Sequence, residues 1–145
     1  MTIKVALAGA GAFGIKHLDG IKNIPDVEVI SLISRELDKT LEVAAKYGIP
    51  HVTTDLADSL AIPDLDAVIL CTPTQMHAAQ AIACLNAGKH VQVEIPLADS
   101  LAGAESVLAL QQKTGLVAMC GHTRRFNPSH QWVHKKIKAG EFNIQ

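Results

Sequence analysis

Apolar runs rich in β-branched residues alternate along this chain with stretches patterned as helices and closed by glycine. That alternation marks repeated strand-helix-strand units and a mostly parallel sheet. The expected strands are Ile3–Ala8, Val27–Ile33, Ala67–Cys71, His90–Val93 and Val117–Gly121, with a short one near His51–Thr53. The expected helices are Phe13–Ile24, Leu37–Tyr47, Met76–Ala87 and Ser100–Thr114, and a further helix-like segment runs from Pro128 to Ala139. Gly48, Gly88, Gly115 and Gly140 close helical stretches, and a lysine precedes three of them by two residues. A glycine able to turn left-handed after a cation near the negative dipole end is a helix stop with a mechanism. The prolines fall between these elements or at their first turns, where a missing N–H costs least. The pattern predicts an α/β fold, a Rossmann-type doubly wound parallel sheet.

Composition narrows the class without changing it. A chain of 145 residues, 48% apolar and 3% aromatic, can build one real core from Ala, Val, Ile and Leu. A formal net charge of −1 gives no global attraction to nucleic acid or to an anionic membrane, so neither is expected as a partner. Cys71, Cys84 and Cys120 are odd in number, widely spaced and outside any CxxC arrangement, which fits buried thiols of a reducing, cytoplasmic compartment. The N-terminus has no leader pattern, and no run of about 18 apolar residues could span a bilayer.

The first candidate chemistry lies directly behind the first strand, in Gly9-Ala10-Gly11-Ala12-Phe13-Gly14. In a GxGxxG turn between strand and helix, Gly9 allows the tight turn and Gly11 lets backbone approach a pyrophosphate. Gly14 lets the helix pack on the strand, and the helix N-terminus holds the phosphates. Ala12 and Phe13 complete this candidate cofactor loop. The same pattern also serves as plain tight packing or in methyltransferases, so the loop alone leaves those readings open.

The second strand bears on which dinucleotide would bind. An acid about 20 residues past the last glycine usually accepts hydrogen bonds from the adenosine ribose. Here that place holds Ser34, followed by Arg35. A hydroxyl and a guanidinium suit a 2′-phosphate and point to NADP. Two counter-readings stand beside this: Ser34 as a cap of the following helix, and Glu36 as an acid in the ribose place one turn late.

Further motifs follow in order: Cys71-Thr72-Pro73-Thr74-Gln75-Met76-His77, then Ala87-Gly88-Lys89-His90-Val91 through Glu94-Ile95-Pro96, then Arg124-Arg125-Phe126-Asn127-Pro128. Together with the glycine loop they resemble the Gfo/Idh/MocA oxidoreductases over nearly the whole chain. The resemblance implies the N-terminal domain of a two-domain oxidoreductase. Residues 1–121 would be the dinucleotide-binding domain, with 122–145 a connecting helix and the start of a truncated substrate domain. It also implies a small-molecule substrate and a homo-oligomeric full-length protein, with Cys71, Thr72, Pro73 and His77 at the cofactor and His77 orienting the Thr72-Pro73 loop. Glu94 would partner the nicotinamide ribose, unless it is a solvated cap at a strand end.

The resemblance breaks at one residue. The family usually reads Glu-Lys-Pro where this chain has Glu94-Ile95-Pro96, and that lysine commonly moves the hydroxyl proton. Ile95 can neither accept nor donate a proton. The catalytic residue is therefore unassigned, and two explanations stand: a non-catalytic dinucleotide sensor, or an unusual substrate. The resemblance implies for the latter a cyclic hemiacetal from an aromatic ring-cleavage product, oxidised to a lactone; its hydroxyl is more acidic than a plain alcohol's and asks less of its base. A sugar or polyol dehydrogenase is the nearest enzymatic rival. Arg124, Arg125 and the adjacent His122 are candidate substrate residues, because guanidinium binds carboxylates in bidentate fashion; surface ion pairs are the alternative for the arginines. His17 reads as packing under the loop. His130 and His134 share a helical face but lack a third ligand, so no metal is expected.

Overall fold

Residues 1–142 are described by a computed structural model of the chain. Six strands form one sheet: β1 (Ile3–Ala8), β2 (Val27–Ile33), β3 (His51–Thr53), β4 (Ala67–Leu70), β5 (His90–Glu94) and β6 (Ala118–Gly121). Their order across the sheet is β3-β2-β1-β4-β5-β6, and every pairing is parallel. This is the doubly wound order in which β1 has β2 on one side and β4 on the other, so the chain reverses its direction of travel beside β1. A crevice opens there at the carboxyl ends of the strands.

Helices α1 (Ala12–Ile21), α2 (Leu37–Tyr47), α3 (Leu56–Leu60), α4 (Thr74–Asn86), α5 (Leu101–Thr114) and α6 (Pro128–Lys138) connect and follow the strands. Alternate residues of a strand face opposite sides, and the core divides accordingly. Leu7 and Leu32 pack with Leu18 of α1 and Ala44 of α2 on one face. Ala6, Ala8, Val68, Leu70 and Val93 pack with Ala81, Leu85 and Val107 of α4 and α5 on the other. Leu7, Leu32, Leu70 and Leu85 are almost wholly buried, which stabilises the fold by about 1.5–3 kcal/mol each relative to exposure.

The expected helix stops are present: Gly48, Gly88, Gly115 and Gly140 all have φ between 70° and 75°. Two elements lie outside the sequence reading. Asp55 caps α3 by accepting a hydrogen bond from the Ala57 N–H, a legible signal in front of a very short helix. A 3-10 turn, Thr123–Phe126, precedes α6, whose N-terminus is capped by Asn127 with Pro128 in the first turn. Glu141 and Phe142 form a bend, and the rest of the expected start of a substrate domain falls on residues 143–145, outside the described residues.

Candidate functional site

The glycine loop separates into two kinds of position. Gly9 has φ +105°, and a Cβ there would stand 2.5 Å from the Cys71 carbonyl oxygen at the end of β4. A Cβ on Gly14 would stand 1.9 Å from the carbonyl oxygen of Gly9. The fold itself demands both glycines. Gly11 is different: its φ is −78°, and a Cβ would meet nothing within 4 Å. Nothing inside the chain requires glycine at this position, and open space lies over its backbone. The first hydrogen bond of α1 runs from the Ile15 N–H to the Gly11 carbonyl, and no side chain caps the helix. The N–H groups of Ala12, Phe13 and Gly14 therefore have no intrahelical partner at the positive end of the dipole. Phe13 is exposed, with the Lys16 ammonium 5.1 Å from its ring centre.

A cleft of about 680 Å³ runs along this crevice. Gly9 and Gly11 line its middle, Ser34 and Arg35 one end, and Cys71, Thr72 and Pro73 its other wall. The structure thus gathers seven of the sequence-expected residues, drawn from three strand ends, into one concave surface. Lys39 and Gln80 also line it and were missed by the sequence reading. The Gln80 amide oxygen accepts from the Thr72 hydroxyl at 2.5 Å, which fixes that threonine. Lys39 bridges Glu36 at 2.5 Å, and this contact holds the Glu36 carboxyl below its usual range. Ser34 does not cap α2: the cap position is Glu36, without a side-chain cap bond, and the Ser34 N–H donates instead to the Thr53 carbonyl.

Two polar side chains, His77 and Glu94, are buried near the carboxyl ends of β4 and β5. His77 is 1% exposed, and its ring nitrogens lie 2.7 Å from the carbonyl oxygens of Thr72 and Pro96. His77 thus ties the loop after β4 to the loop after β5, and it serves the cleft from behind rather than lining it. Glu94 is also buried, and His17 of α1 lies 2.7 Å from its Oε1. His17 is therefore a partner of Glu94 and not simply packing beneath the glycine loop. Gly121 makes room for this carboxylate, since a Cβ there would stand 3.2 Å from Glu94 Oε1. Burial first, and then the Glu94 charge, pushes the Cys71 thiol up to about 12 and also raises Cys120. Neither is poised as a thiolate nucleophile.

The candidate substrate residues lie together after β6, where the Arg125 N–H donates to the His122 carbonyl at 3.0 Å. Arg124 and Arg125 line a groove of about 620 Å³ with His130, His134 and Lys135. His122 instead lines a shallow depression with Ile95, Pro96 and Cys120. Neither arginine makes an ion pair among the described residues. Among the described residues no group of three or more His, Cys, Asp or Glu could hold a metal, and no helix is long and apolar enough to cross a membrane.

Residues 3–122 match the profile of the oxidoreductase family with an NAD-binding Rossmann fold. The chain belongs to the Gfo/Idh/MocA oxidoreductases. It is 69% identical over 143 residues to 4-carboxy-2-hydroxymuconate-6-semialdehyde dehydrogenase of Sphingobium sp. (strain NBRC 103272 / SYK-6), covering 99% of this chain and 45% of that relative. A crystal structure of scyllo-inositol dehydrogenase from Lactobacillus casei with bound NAD(H) and scyllo-inositol superposes with a TM-score of 0.89 at 26% identity, over 97% of this chain and 42% of that one. A 3-ketoreductase from Actinomadura kijaniata in complex with TDP-benzene and NADP gives 0.88 at 28% identity, over 97% and 44%. The chain therefore spans less than half the length of these Gfo/Idh/MocA relatives.

The residues present fit the dinucleotide that this family implies. The open face of Gly11, the three free N–H groups opening α1 and the long cleft beside them form a cradle for a pyrophosphate and its flanking nucleosides. Such a fit suits NAD and NADP alike, and the two solved relatives are described with one of each.

Proposed function

We propose that this chain is the NADP-binding part of a dehydrogenase that oxidises the cyclic hemiacetal of 4-carboxy-2-hydroxymuconate-6-semialdehyde to 2-pyrone-4,6-dicarboxylate in aromatic breakdown. The 69% identity across 99% of the chain to the Sphingobium semialdehyde dehydrogenase carries this reading. Residues 1–121 act as the dinucleotide-binding unit, and 122–145 lead toward the length that the relatives have in addition. The longer protein is read as a cytoplasmic homo-oligomer; the three free cysteines support the reducing compartment.

In this reading Gly11 and the N–H groups of Ala12, Phe13 and Gly14 hold the pyrophosphate. Gly9 and Gly14 fix the loop. The Ser34 hydroxyl and the Arg35 guanidinium take the 2′-phosphate, in bidentate fashion for the arginine. Cys71, Thr72 and Pro73 form the wall toward the nicotinamide, braced from behind by His77. Glu94, held by His17, accepts from the nicotinamide ribose. Bound NADP supplies the acceptor for a hydride. Arg124, Arg125 and His122 provide cationic and hydrogen-bonding partners for a substrate bearing two carboxylates. Ile95 leaves the usual proton-moving position apolar, which suits a hemiacetal hydroxyl that needs a weaker base.

The test is reduction of NADP by the longer protein with ring-cleavage semialdehydes as substrate. Turnover with these and not with polyols is the expected result. Reduction with inositols instead would favour a polyol dehydrogenase, the reading supported by the superposition on scyllo-inositol dehydrogenase. No reduction with either class would favour a dinucleotide sensor, as Ile95 allows. The 145-residue chain by itself is expected to bind NADPH and to turn over nothing measurable.

A further inference from the structure

Building on the NADP reading, we infer that the Glu36–Lys39 ion pair is what lets the end of the cleft beyond β2 accept a 2′-phosphate. Glu36 follows Arg35 directly and lines the same cleft. Alone, its carboxylate would repel a phosphate dianion and would suit the two free hydroxyls of an adenosine ribose. Lys39 stands one helical turn further along α2, which brings its Nζ to 2.5 Å from Glu36 Oε2. The pair is neutral. Arg35, which has no ion-pair partner among the described residues, then sets the sign of the field at this end of the cleft. Each partner keeps the other ionised: the Lys39 contact lowers the Glu36 carboxyl, and the Glu36 contact raises the Lys39 ammonium.

The side chains of Lys39 and Glu36 are 74% and 69% exposed, so their pairing adds little to stability in the empty cleft. Its effect falls on a charged ligand. A phosphate seated beside Ser34 and Arg35 would share the cleft that Glu36 lines, where an uncancelled like charge acts at short range. Lys39 therefore determines specificity by cancelling Glu36, and the phosphate contacts belong to Ser34 and Arg35.

The experiment titrates NADPH and NADH into the full chain as wild type, Lys39→Met, Glu36→Gln and the double variant, with thermal melting as the control for folding. Lys39→Met is expected to weaken NADPH binding by about tenfold or more while NADH affinity holds or rises. Glu36→Gln keeps or strengthens NADPH binding, and the double variant returns to within about threefold of wild type. A Lys39→Met variant that retains the wild-type preference overturns the inference. So does a double variant as weak as Lys39→Met, because lysine would then be touching the phosphate itself. A wild type that binds NADPH no tighter than NADH overturns the NADP reading, and this inference falls with it.

Discussion

The imidazole Nε2 of His17 and the Oε1 of Glu94 lie 2.7 Å apart, joining the first helix to the end of β5 across 77 residues of sequence. The carboxylate is buried, and no other side chain bonds to it among the described residues. His17→Ala should therefore leave a carboxylate without its donor and lower stability by about 1–3 kcal/mol. Because Glu94 also loses its fixed orientation, NADPH binding should weaken, and His17→Gln should restore much of it. Denaturant unfolding and NADPH titration measure the two effects. Wild-type NADPH affinity in His17→Ala would show that the pair does not orient the carboxylate.

The glycine loop gives a contrast between fold and ligand. Gly14→Ala places a methyl group 1.9 Å from the Gly9 carbonyl oxygen, a backbone clash that no rotamer relieves. It should cost about 3 kcal/mol or more in urea unfolding. Gly11→Ala meets open space and should change stability by no more than about 1 kcal/mol. Its NADPH affinity should nevertheless fall markedly, since the new methyl occupies the approach to the pyrophosphate. Equal NADPH binding by Gly11→Ala and wild type would contradict the proposed seat.

The thiols yield a pH prediction. Burial pushes Cys71 and Cys84 from an ordinary 9.0 up to about 12. Both stay protonated near neutrality, so iodoacetamide labels them slowly in the native protein and fast after unfolding. Because the folded values lie above the unfolded ones, their contribution to stability is fully present below pH 9.0 and is lost as the pH climbs toward 12. Mass spectrometry of native protein at about pH 8 checks the first point; labelling of Cys71 there at the rate of a free thiol contradicts it.

His77 bridges two loops through two carbonyl oxygens while 1% exposed. Substitution by leucine fills a similar volume but leaves both carbonyls unpaired, and it should destabilise the chain by about 2–4 kcal/mol. His77→Gln can still donate to one carbonyl and should cost less. Equal costs for the two variants would mean that ring volume, not hydrogen bonding, is what matters at this site.

Much of the fold was legible because its signals are local. Apolar runs, glycine stops after lysines and prolines at first turns located the strand-helix alternation, and β1, β2, β3 and α2 have the expected bounds. Helix ends proved less legible: α1 stops at Ile21 and α4 already begins at Thr74, since a terminal turn depends on what the flanking loop can bond. The glycine loop, Ser34, Arg35 and the Thr72-Pro73 turn could be named as candidates from motif order alone. Lys39 could not, because a lysine on a helix is ordinary until its partner and the cleft are placed beside it.

Sequence by itself therefore determined the parallel α/β scaffold, the glycine loop between β1 and α1 and an isoleucine at position 95, all properties of residue type and short spacing. Tertiary structure alone decided that Gly9 packs against Cys71, that His17 reaches Glu94 and that Ser34 leaves α2 uncapped. Each of these depends on strands distant in sequence meeting at one edge of the sheet, and no local pattern encodes which side chains then fall within a few ångströms of each other.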